Sequence, residues 1–424
     1  MTVHPEYRRI LYAQACYGQA EIDAVNDVLQ NCELNLVDGP AVAEFERRVS
    51  RSYGKAWGVM VNSGSSANLL AIAALQLPLN SEVVTPALNW ATTVAPIVQN
   101  GLVPAFVDVE PDSFTINASQ IKAMIGERTK AMLVPDLVGN VADWPALAKI
   151  AQRYGLRTIQ DSADTIGGTL AGRPTGSWSD LTTVSFYASH IITCAGLGGM
   201  VCGNVPEMAE RVRLLRSWGR RSSVFGEREN TEDRFSAEID GIPYDSKFIF
   251  DAQGYNFLPS ELGAAFGLCQ FDRLEDFIDK RIANWQRLRA FFADHEDWFI
   301  LPHQRPDTRL AWLAFPLVVR PEAPFGRHDL QLYFERRGIQ TRTILAGNIL
   351  RQPGFQALNC RLAPAGYPNT DRVMRGGLLV GCHQSLSAGD IDYICTAFLE
   401  FQYTFQTAHS GRTGRKCAKH SGSS

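Results

Sequence analysis

The sequence predicts an α/β protein built on a mainly parallel sheet, because short apolar runs alternate with helical patterns from about residue 37 to residue 271. The strand-like runs are residues 56–61, 82–86, 103–109, 131–135 and 157–160. The helical stretches between them include residues 67–75, 90–99 and 144–154. Strands that alternate with helices in this way are typical of a parallel sheet covered by helices on both faces.

The length of the chain predicts more than one domain. A chain of 424 residues is too long for one small hydrophobic core and suits two or three domains. We expect an N-terminal segment (1–36) that packs with the small domain, a large domain (37–271), a smaller C-terminal α/β domain (272–404) and a disordered tail (405–424). Residues 219–244 have many charges and no apolar period, which predicts a long functional surface loop.

Composition and charge exclude several classes of protein. The formal net charge of -3 gives no reason to expect nucleic acid or an anionic membrane as a partner. The nine cysteines are scattered without CxxC pairs, which favours reduced thiols over a disulfide framework or a zinc site. The N-terminus has no apolar core of the signal-peptide type, and no apolar run reaches the length of a membrane span. We therefore expect a soluble cytoplasmic enzyme with no structural metal.

Two segments at predicted strand ends contain residues suited to a charged ligand. The run Asn62-Ser63-Gly64-Ser65-Ser66 separates a strand from a helix, and small residues there allow backbone N–H groups to approach a phosphate. The same run also fits a simple turn capped by serine. Asp161 and Asp164 follow a buried strand, where open α/β sheets place ligands. A carboxylate at that place can hold a protonated pyridine nitrogen, or it can cap the next turn.

A third segment, Ser185-Phe186-Tyr187-Ala188-Ser189-His190, ends another predicted strand in a basic side chain. A lone histidine in an apolar neighbourhood is more often structural than catalytic. The order of the three segments changes this interpretation, because a glycine-serine turn, an acid at a strand end and a Ser-rich strand that ends in a basic residue recur together in one arrangement.

Together the segments resemble the DegT/DnrJ/EryC1/StrS family of sugar aminotransferases and dehydratases, which are fold-type I enzymes (aspartate aminotransferase-like) that use pyridoxal 5'-phosphate (PLP). The resemblance runs from about Tyr17 to Phe401. Its motifs are Val-Asn-Ser-Gly-Ser-Ser-Ala-Asn (61–68), Gly-Leu-Val-Pro-Ala-Phe-Val-Asp (101–108), Asp-Ser-Ala-Asp (161–164) and Gly-Tyr-Asn (254–256). In that family a lysine that binds the cofactor covalently stands three residues after the aromatic residue of the Ser-Phe-aromatic motif. Here that position is His190.

The resemblance implies roles for individual cofactor-binding residues. Gly64, Ser65 and Ser185 would hold the cofactor phosphate, and Trp90 would stack on the pyridine ring. Asp161 would pair with the ring nitrogen.

Two further residues extend the implied site. Asp164 would lie near the hydroxyl group of the cofactor ring. Asn256 would reach the phosphate bound by the neighbouring subunit, which implies a homodimer with shared active sites.

A histidine in place of the lysine resembles the nucleotide-sugar 3-dehydratase branch, which the segments at 87–93, 137–140, 346–353 and 379–384 also resemble. An imidazole cannot tether the cofactor but can act as a base near neutral pH. The implied reaction uses pyridoxamine 5'-phosphate (PMP) to remove the C3 hydroxyl of a nucleotide-linked 4-keto-6-deoxyhexose, with His190 as the base and glutamate as the amino donor. Such deoxysugars enter lipopolysaccharides or natural products. The alternatives are action on another keto-sugar or cyclitol, a true aminotransferase with Lys247 as a displaced lysine, and an inactive cofactor-binding paralogue.

The sequence departs from the family pattern at several positions. One type of 3-dehydratase carries the cysteines of an iron–sulfur cluster just after a Trp-Gly-Arg motif, but residues 220–244 contain no cysteine, so we expect no cluster and a reaction of the colitose type. Leu258 stands where the family often has a basic residue for the carboxylate of the amino donor. The stretch 190–199 matches the aminotransferases in length, and Leu197 replaces the acidic residue usual in the 3-dehydratases.

Overall fold

The computed structural model describes residues 9–31, 36–225 and 231–414, and for residues 225, 233 and 405–414 it describes the backbone only. The helices are α1 (Gln19–Asn31), α2 (Pro40–Ser52), α3 (Gly64–Ala74), α4 (Ala91–Gln99), α5 (Ala118–Ile121), α6 (Trp144–Tyr154), α7 (Pro206–Arg216), α8 (Ser222–Phe225), α9 (Thr231–Arg234), α10 (Glu261–Asp272), α11 (Leu274–Ala293), α12 (Arg327–Arg336), α13 (Pro368–Gly376) and α14 (Ala388–Gly414). The strands are β1 (Trp57–Val61), β2 (Glu82–Pro86), β3 (Val103–Val107), β4 (Thr129–Pro135), β5 (Arg157–Asp161), β6 (Thr169–Leu170), β7 (Arg173–Pro174), β8 (Leu181–Ser185), β9 (Gly199–Gly203), β10 (Ala237–Ile239), β11 (Ile242–Tyr244), β12 (Phe299–Ile300), β13 (Thr308–Arg309), β14 (Phe315–Val319), β15 (Arg342–Thr343) and β16 (Gly377–Val380).

A seven-stranded sheet forms the centre of the molecule, with the strand order β1-β9-β8-β5-β4-β2-β3. The neighbours from β8 to β3 pair in parallel, and β9 is antiparallel to both β1 and β8. Every residue of β2 and β3 is buried, as expected for strands covered on both faces. The predicted α/β fold with a mainly parallel sheet is confirmed.

Parallel pairing brings the carboxyl ends of β2, β4, β5 and β8 to one edge of this sheet, and β1 ends at the same edge because it is antiparallel to β9. The last residues of these strands and the segments that follow them contain seven of the site residues predicted from the sequence: Gly64, Ser65, Trp90, Asp161, Asp164, Ser185 and His190. This edge is where doubly wound sheets bind ligands.

The C-terminal part of the chain forms an antiparallel sheet, β12-β14-β16-β15. One continuous hydrophobic cluster joins it to the central sheet, and that cluster contains Val84 and Val107 as well as Phe315 and Leu317. The predicted boundary between a large and a small domain at residue 271 stays a prediction, since this core crosses it.

The N-terminal segment contacts two parts of the molecule. Ile10 pairs with Ile339 beside the C-terminal sheet, and the packing of this segment with a small domain stays a prediction. Helix α1, however, packs against α10, which precedes the predicted boundary, and Gln270 of α10 donates a hydrogen bond to the buried Glu21 (2.6 Å). The segment therefore bridges both parts.

The prediction of an irregular loop at residues 219–244 is wrong for the part that the structure describes. This stretch contains the short helices α8 and α9 and the hairpin β10-β11, in which Ile239 pairs with Ile242. Asp240 and Gly241 both have positive φ (51° and 81°), and an Asp-Gly turn of this kind matches the twist of a two-residue hairpin. Both strands are largely exposed, so the surface position is as predicted.

Helix α14 continues to Gly414, into the segment predicted to be disordered from residue 405, and the disordered tail stays a prediction. The rest of the tail, 415–424, lies outside the described residues. None of the helices in the described ranges is both long and apolar enough to cross a membrane.

Candidate active site

The loops at the carboxyl edge of the central sheet enclose a cavity of about 460 Å³. Seven of the eight predicted site residues line it: Gly64, Ser65, Trp90, Asp161, Asp164, Ser185 and His190. The eighth, Asn256, is exposed and does not line this cavity. The cavity therefore brings together predicted site residues that are up to 126 positions apart in the sequence, from Gly64 to His190 (190 − 64).

One end of the cavity is the N-terminus of α3. The Ser63 hydroxyl caps this helix by accepting a hydrogen bond from the N–H of Ser66 (3.1 Å). A methyl group at Gly64 would lie 2.6 Å from Cβ of Ser185, so glycine is required for this close approach. The Ser65 hydroxyl donates to the Thr92 hydroxyl (2.9 Å). Free N–H groups at a helix N-terminus, flanked by hydroxyls, suit a phosphate.

The buried carboxylate of Asp161 lies at the end of β5 and is held by three donors. Its Oδ2 accepts hydrogen bonds from the Thr93 hydroxyl (2.6 Å) and the Asn68 amide (2.8 Å), and its Oδ1 accepts one from the N–H of Ala163 (3.2 Å). Burial raises the pKa of Asp161, and the Thr93 and Asn68 hydrogen bonds oppose that rise. The network fixes the carboxylate and favours its ionised form, as a partner for a cation requires.

His190 and Asp164 lie side by side in the cavity. Nδ1 of His190 is 3.7 Å from Oδ1 of Asp164, which is too long for a hydrogen bond. Burial, followed by the positive charge of Arg281, lowers the pKa of His190 to about 4, and burial raises the pKa of Asp164 to about 7. Because both shifts disfavour charge, this contact is not an ion pair, and the imidazole is neutral at neutral pH.

The Nδ1 atom of His190 is buried and has no hydrogen-bond partner among the described residues. Such an atom costs free energy unless a ligand or water satisfies it. The neutral imidazole of His190 can therefore accept a proton or a hydrogen bond from a molecule bound in the cavity.

Arg281 is fully buried beneath this part of the cavity. It donates to the carbonyls of Trp312 and Leu313 (both 3.0 Å) and to Oε1 of Gln384 (2.6 Å). Gln384 in turn donates to the carbonyl of Ile191 (3.1 Å). These bonds fix the backbone next to His190 and hold a cation below it.

Several lining residues were not predicted from the sequence. Asn68, Thr93 and Tyr187 lie inside or beside the motifs that carried the family resemblance, and the polar character of the first two was a usable signal. Tyr12 and Arg342 also line the cavity. Nothing in the sequence around these two residues indicates that they line the site, because only the tertiary fold brings them to the cavity.

Lysine is missing from the lining of this cavity over the described ranges. Lys247, the candidate for a displaced cofactor lysine, lies in the segment after the β10-β11 hairpin and does not line the cavity. No cluster of His, Cys, Asp and Glu suited to a metal ion occurs among the described residues.

The lining residues fit PLP. The helix N-terminus suits the phosphate, the Asp161 carboxylate suits the pyridine nitrogen, and the unpartnered Nδ1 of His190 can accept a proton or a hydrogen bond from a bound molecule. Trp90, which precedes α4, exposes 53% of its surface although it is a large aromatic residue, so its indole is available to a planar ring.

Comparison with known proteins agrees with this geometry. Residues 15–399 match the DegT/DnrJ/EryC1/StrS aminotransferase family. The chain is 36% identical over 392 residues to the dTDP-4-dehydro-2,6-dideoxy-D-glucose 3-dehydratase of Saccharopolyspora spinosa, covering 90% of this chain and 84% of the relative. It is 29% identical over 381 residues to the GDP-4-keto-6-deoxy-D-mannose 3-dehydratase of Yersinia pseudotuberculosis, covering 88% of this chain and 93% of the relative.

Solved structures give the same result. The fold matches GDP-4-keto-6-deoxymannose-3-dehydratase with a trapped PLP-glutamate geminal diamine at a TM-score of 0.82 and 26% identity, covering 92% of this chain and 99% of the other. The Escherichia coli GDP-4-keto-6-deoxy-D-mannose-3-dehydratase with bound hydrated PLP matches with the same score and identity, covering 92% and 100%. This chain belongs to the DegT/DnrJ/EryC1/StrS aminotransferase family.

Proposed function

We propose that this protein is a PLP/PMP-dependent 3-dehydratase that removes the C3 hydroxyl of a nucleotide-linked 4-keto-6-deoxyhexose. The observation that carries the proposal is His190, whose unpartnered imidazole faces a cavity that none of the described lysines lines. A family member without the lysine that binds the cofactor covalently lacks the group that completes transamination. The names of the relatives, 3-dehydratases of dTDP- and GDP-linked sugars, support the same substrate class.

In this proposal PMP supplies an amine that joins the keto carbon of the sugar and a carbon-bound proton whose removal drives loss of the neighbouring hydroxyl. The residues of this chain bind and orient it. The N-terminus of α3 with Gly64, Ser65 and Ser185 holds the phosphate, and Asp161 holds the ring nitrogen in its protonated form. Trp90 covers the ring face.

His190 takes the proton as a neutral base. Its low pKa keeps Nδ1 or Nε2 free to accept a proton at neutral pH, and the backbone bonds around Ile191 hold the ring in place. Asp164 lies beside it and can receive a hydrogen bond from the ring hydroxyl of the cofactor. With pKa values shifted by burial in one cleft, this pair has the character of a functional site.

Glutamate is the proposed amino donor. A relative solved with a PLP-glutamate adduct supports it. Leu258 cannot bind the carboxylate of the donor, but Arg342 lines the cavity and has an exposed side chain. We propose Arg342 as the cation that compensates for Leu258.

A homodimer with shared active sites is also proposed. Asn256 does not line the cavity of its own chain, so a role at the phosphate requires a second copy. Large apolar side chains are exposed nearby, with Ile242 at 61%, Phe248 at 55% and Phe250 at 56%, and a second copy would cover them. Residues 250–256 pair with 217–220, which makes the apolar surface continuous with Asn256.

Subunit mixing tests the shared site. Dimers of the His190→Asn chain and dimers of an Asn256→Ala chain should each have low activity, and mixing them should restore activity because one site of each hybrid has both wild-type residues. Failure of the mixture to gain activity, with hybrids present by mass, would contradict sharing.

A cytoplasmic location stays a prediction, supported by the free thiols of the seven described cysteines.

Mass spectrometry of the product tests the reaction. The protein is incubated with PLP, glutamate and the dTDP-, GDP- or CDP-linked 4-keto-6-deoxyhexose. The expected product is a nucleotide sugar lighter by one oxygen atom, with 2-oxoglutarate formed. An amino sugar would contradict the 3-dehydratase and favour an aminotransferase.

Replacement of the base gives a second test. His190→Asn should retain cofactor binding and lose turnover, because the amide cannot accept the proton. His328→Asn, on the exposed face of α12, is the matched control and should keep full turnover. Unchanged turnover in the His190 variant would exclude this residue as the base.

A further inference from the structure

Tyr12 lies in the wall of the active-site cavity, although it precedes the segment that matches the family. Its backbone is held firmly: the Tyr12 N–H donates to Oε1 of Gln340 (2.9 Å). Before it, the Ile10 N–H donates to the Gly338 carbonyl (3.0 Å), and the Gln340 N–H donates back to Ile10 (2.8 Å). This pairing fixes the short segment along the edge of the C-terminal part of the molecule.

A second set of contacts holds the other side of the segment. Nε2 of His383 lies 3.1 Å from the Leu11 carbonyl. Gly381 approaches so closely that a methyl group there would lie 2.5 Å from the Leu11 carbonyl oxygen and 3.1 Å from that of Tyr12. The backbone of Tyr12 is therefore clamped between residues 338–340 and 381–383, as the position of a functional side chain requires.

Tyr12 and His190 line the same cavity. Burial raises the pKa of Tyr12, Asp164, the neighbour of His190, raises it further, and Arg281 and Arg342 oppose the rise. The phenol is therefore neutral and keeps its proton. Its oxygen makes no hydrogen bond to any described residue, yet it is not sealed from solvent. The guanidinium of Arg342 lies over the ring, 5.7 Å from its centre.

We propose that Tyr12 is a catalytic residue of the dehydration: its phenol donates a hydrogen bond to the C3 hydroxyl of the sugar as the C–O bond breaks. The inference rests on the proposed function. A departing hydroxyl takes the bonding electron pair and needs a donor at that moment. Tyr12 is a neutral, unpartnered donor in the wall of the same cavity as His190. A preorganised donor of this kind stabilises developing negative charge most in a site of low polarity.

The proton balance of the step needs no further reagent. One C–H bond and one C–O bond break, and the electron pair of the C–H bond moves through the conjugated atoms to expel the hydroxyl. The proton held by His190 passes to the departing oxygen, which leaves as water. Tyr12 keeps its own proton throughout, which agrees with its raised pKa. Nothing is oxidised or reduced by an outside reagent.

The test is Tyr12→Phe, which removes one oxygen atom and retains the ring beside Arg342. We expect kcat for dehydration to fall about 100- to 1,000-fold with little change in KM, as for loss of one preorganised donor. The control is Tyr154→Phe at the end of α6, remote from the cavity, which should keep the wild-type kcat. Melting temperature and the Kd for PMP should not change in either variant.

A second readout separates this role from support of the site as a whole. With the 3-deoxy product in D2O, His190 can still exchange the reacting proton of PMP, but no hydroxyl leaves. Mass spectrometry of the recovered PMP should show the same rate of deuterium uptake for Tyr12→Phe as for wild type.

Slower exchange in the Tyr12 variant, or an unchanged kcat, would overturn the assignment of Tyr12 and leave the 3-dehydratase standing. Absence of dehydration by the wild-type protein with any of the three nucleotide sugars would instead overturn the proposed function, and the role of Tyr12 with it.

Discussion

Thr93→Val tests how the structure controls the charge of Asp161. The substitution keeps the shape of the side chain and removes the hydroxyl that donates to Oδ2 at 2.6 Å. Both residues are buried apart from the small surface that they expose to the cavity, so little room is left for water to replace the lost donor. A hydrogen bond to a charged group contributes about 1.5–3 kcal/mol, so the ionised carboxylate should become less favourable by this amount, about 10- to 150-fold in equilibrium.

The consequence is a weaker and more pH-dependent cofactor site. Only ionised Asp161 pairs with a protonated pyridine nitrogen, and the variant raises the pKa of Asp161 further above its ordinary value. Binding is present above that pKa and is lost as the pH falls through it, so the loss should begin at a higher pH in the variant. The assay is a titration of the Kd for PLP over a series of pH values.

A matched control lies on β5, the strand that ends in Asp161. The Thr158 hydroxyl donates to Oδ2 of Asp180 (2.9 Å) at the opposite end of β5, away from the cavity. Thr158→Val should lower stability but leave the Kd for PLP and its pH dependence unchanged. If Thr93→Val shows the Kd and pH profile of the control, then the hydrogen bond does not set the charge of Asp161, and the reasoning is refuted.

Two further predictions concern Gly64 at the N-terminus of α3 and Asp164 beside His190. Gly64→Ala should lower the free energy of unfolding by about 1–3 kcal/mol and weaken PLP binding, because the added Cβ would lie 2.6 Å from Cβ of Ser185. Denaturant titration compares this variant with Gly354→Ala, in which nothing lies within 4 Å of the added Cβ, and equal effects of the two substitutions would contradict the prediction. Asp164 has its pKa raised from 3.8 to about 7, so the folded state binds more protons than the unfolded state in that window and the contribution of Asp164 to stability is lost as the pH rises. Asp164→Asn should therefore raise the melting temperature of the cofactor-free protein increasingly from about pH 4 to above pH 7, and a constant difference would exclude this linkage.

The order of apolar runs predicted a mainly parallel central sheet, although the antiparallel strand β9 was not predicted. Residues 82–86 were predicted as a strand and form β2, and residues 144–154 were predicted as a helix and form α6. Such elements are predictable because burial of an apolar run on both faces of a parallel sheet depends mainly on local composition. The hairpin at 237–244 was not predicted, although the sequence Asp240-Gly241 is typical of a hairpin turn. Each of its strands has only three residues, which is too short for an apolar pattern to stand out among the surrounding charged residues.

The cavity was predictable where its residues follow strands. Gly64, Asp161 and Ser185 lie at the ends of strands β1, β5 and β8, and parallel topology alone brings such positions to one edge. The sequence could not show that Asn68 and Thr93 hold the Asp161 carboxylate, because these contacts depend on how helices α3 and α4 pack on the sheet.

By itself the sequence determined the sheet, the family and the exchange of lysine for histidine at position 190, which are properties of local pattern and of residue identity. Only the tertiary structure decided the state of that histidine. Its pKa depends on burial and on Arg281, which is 91 positions away along the chain (281 − 190). Tyr12 reaches the same cavity by pairing with residues near Gln340. Charge and proton transfer depend on distance in space and on exclusion of water, and neither can be read from the order of residues.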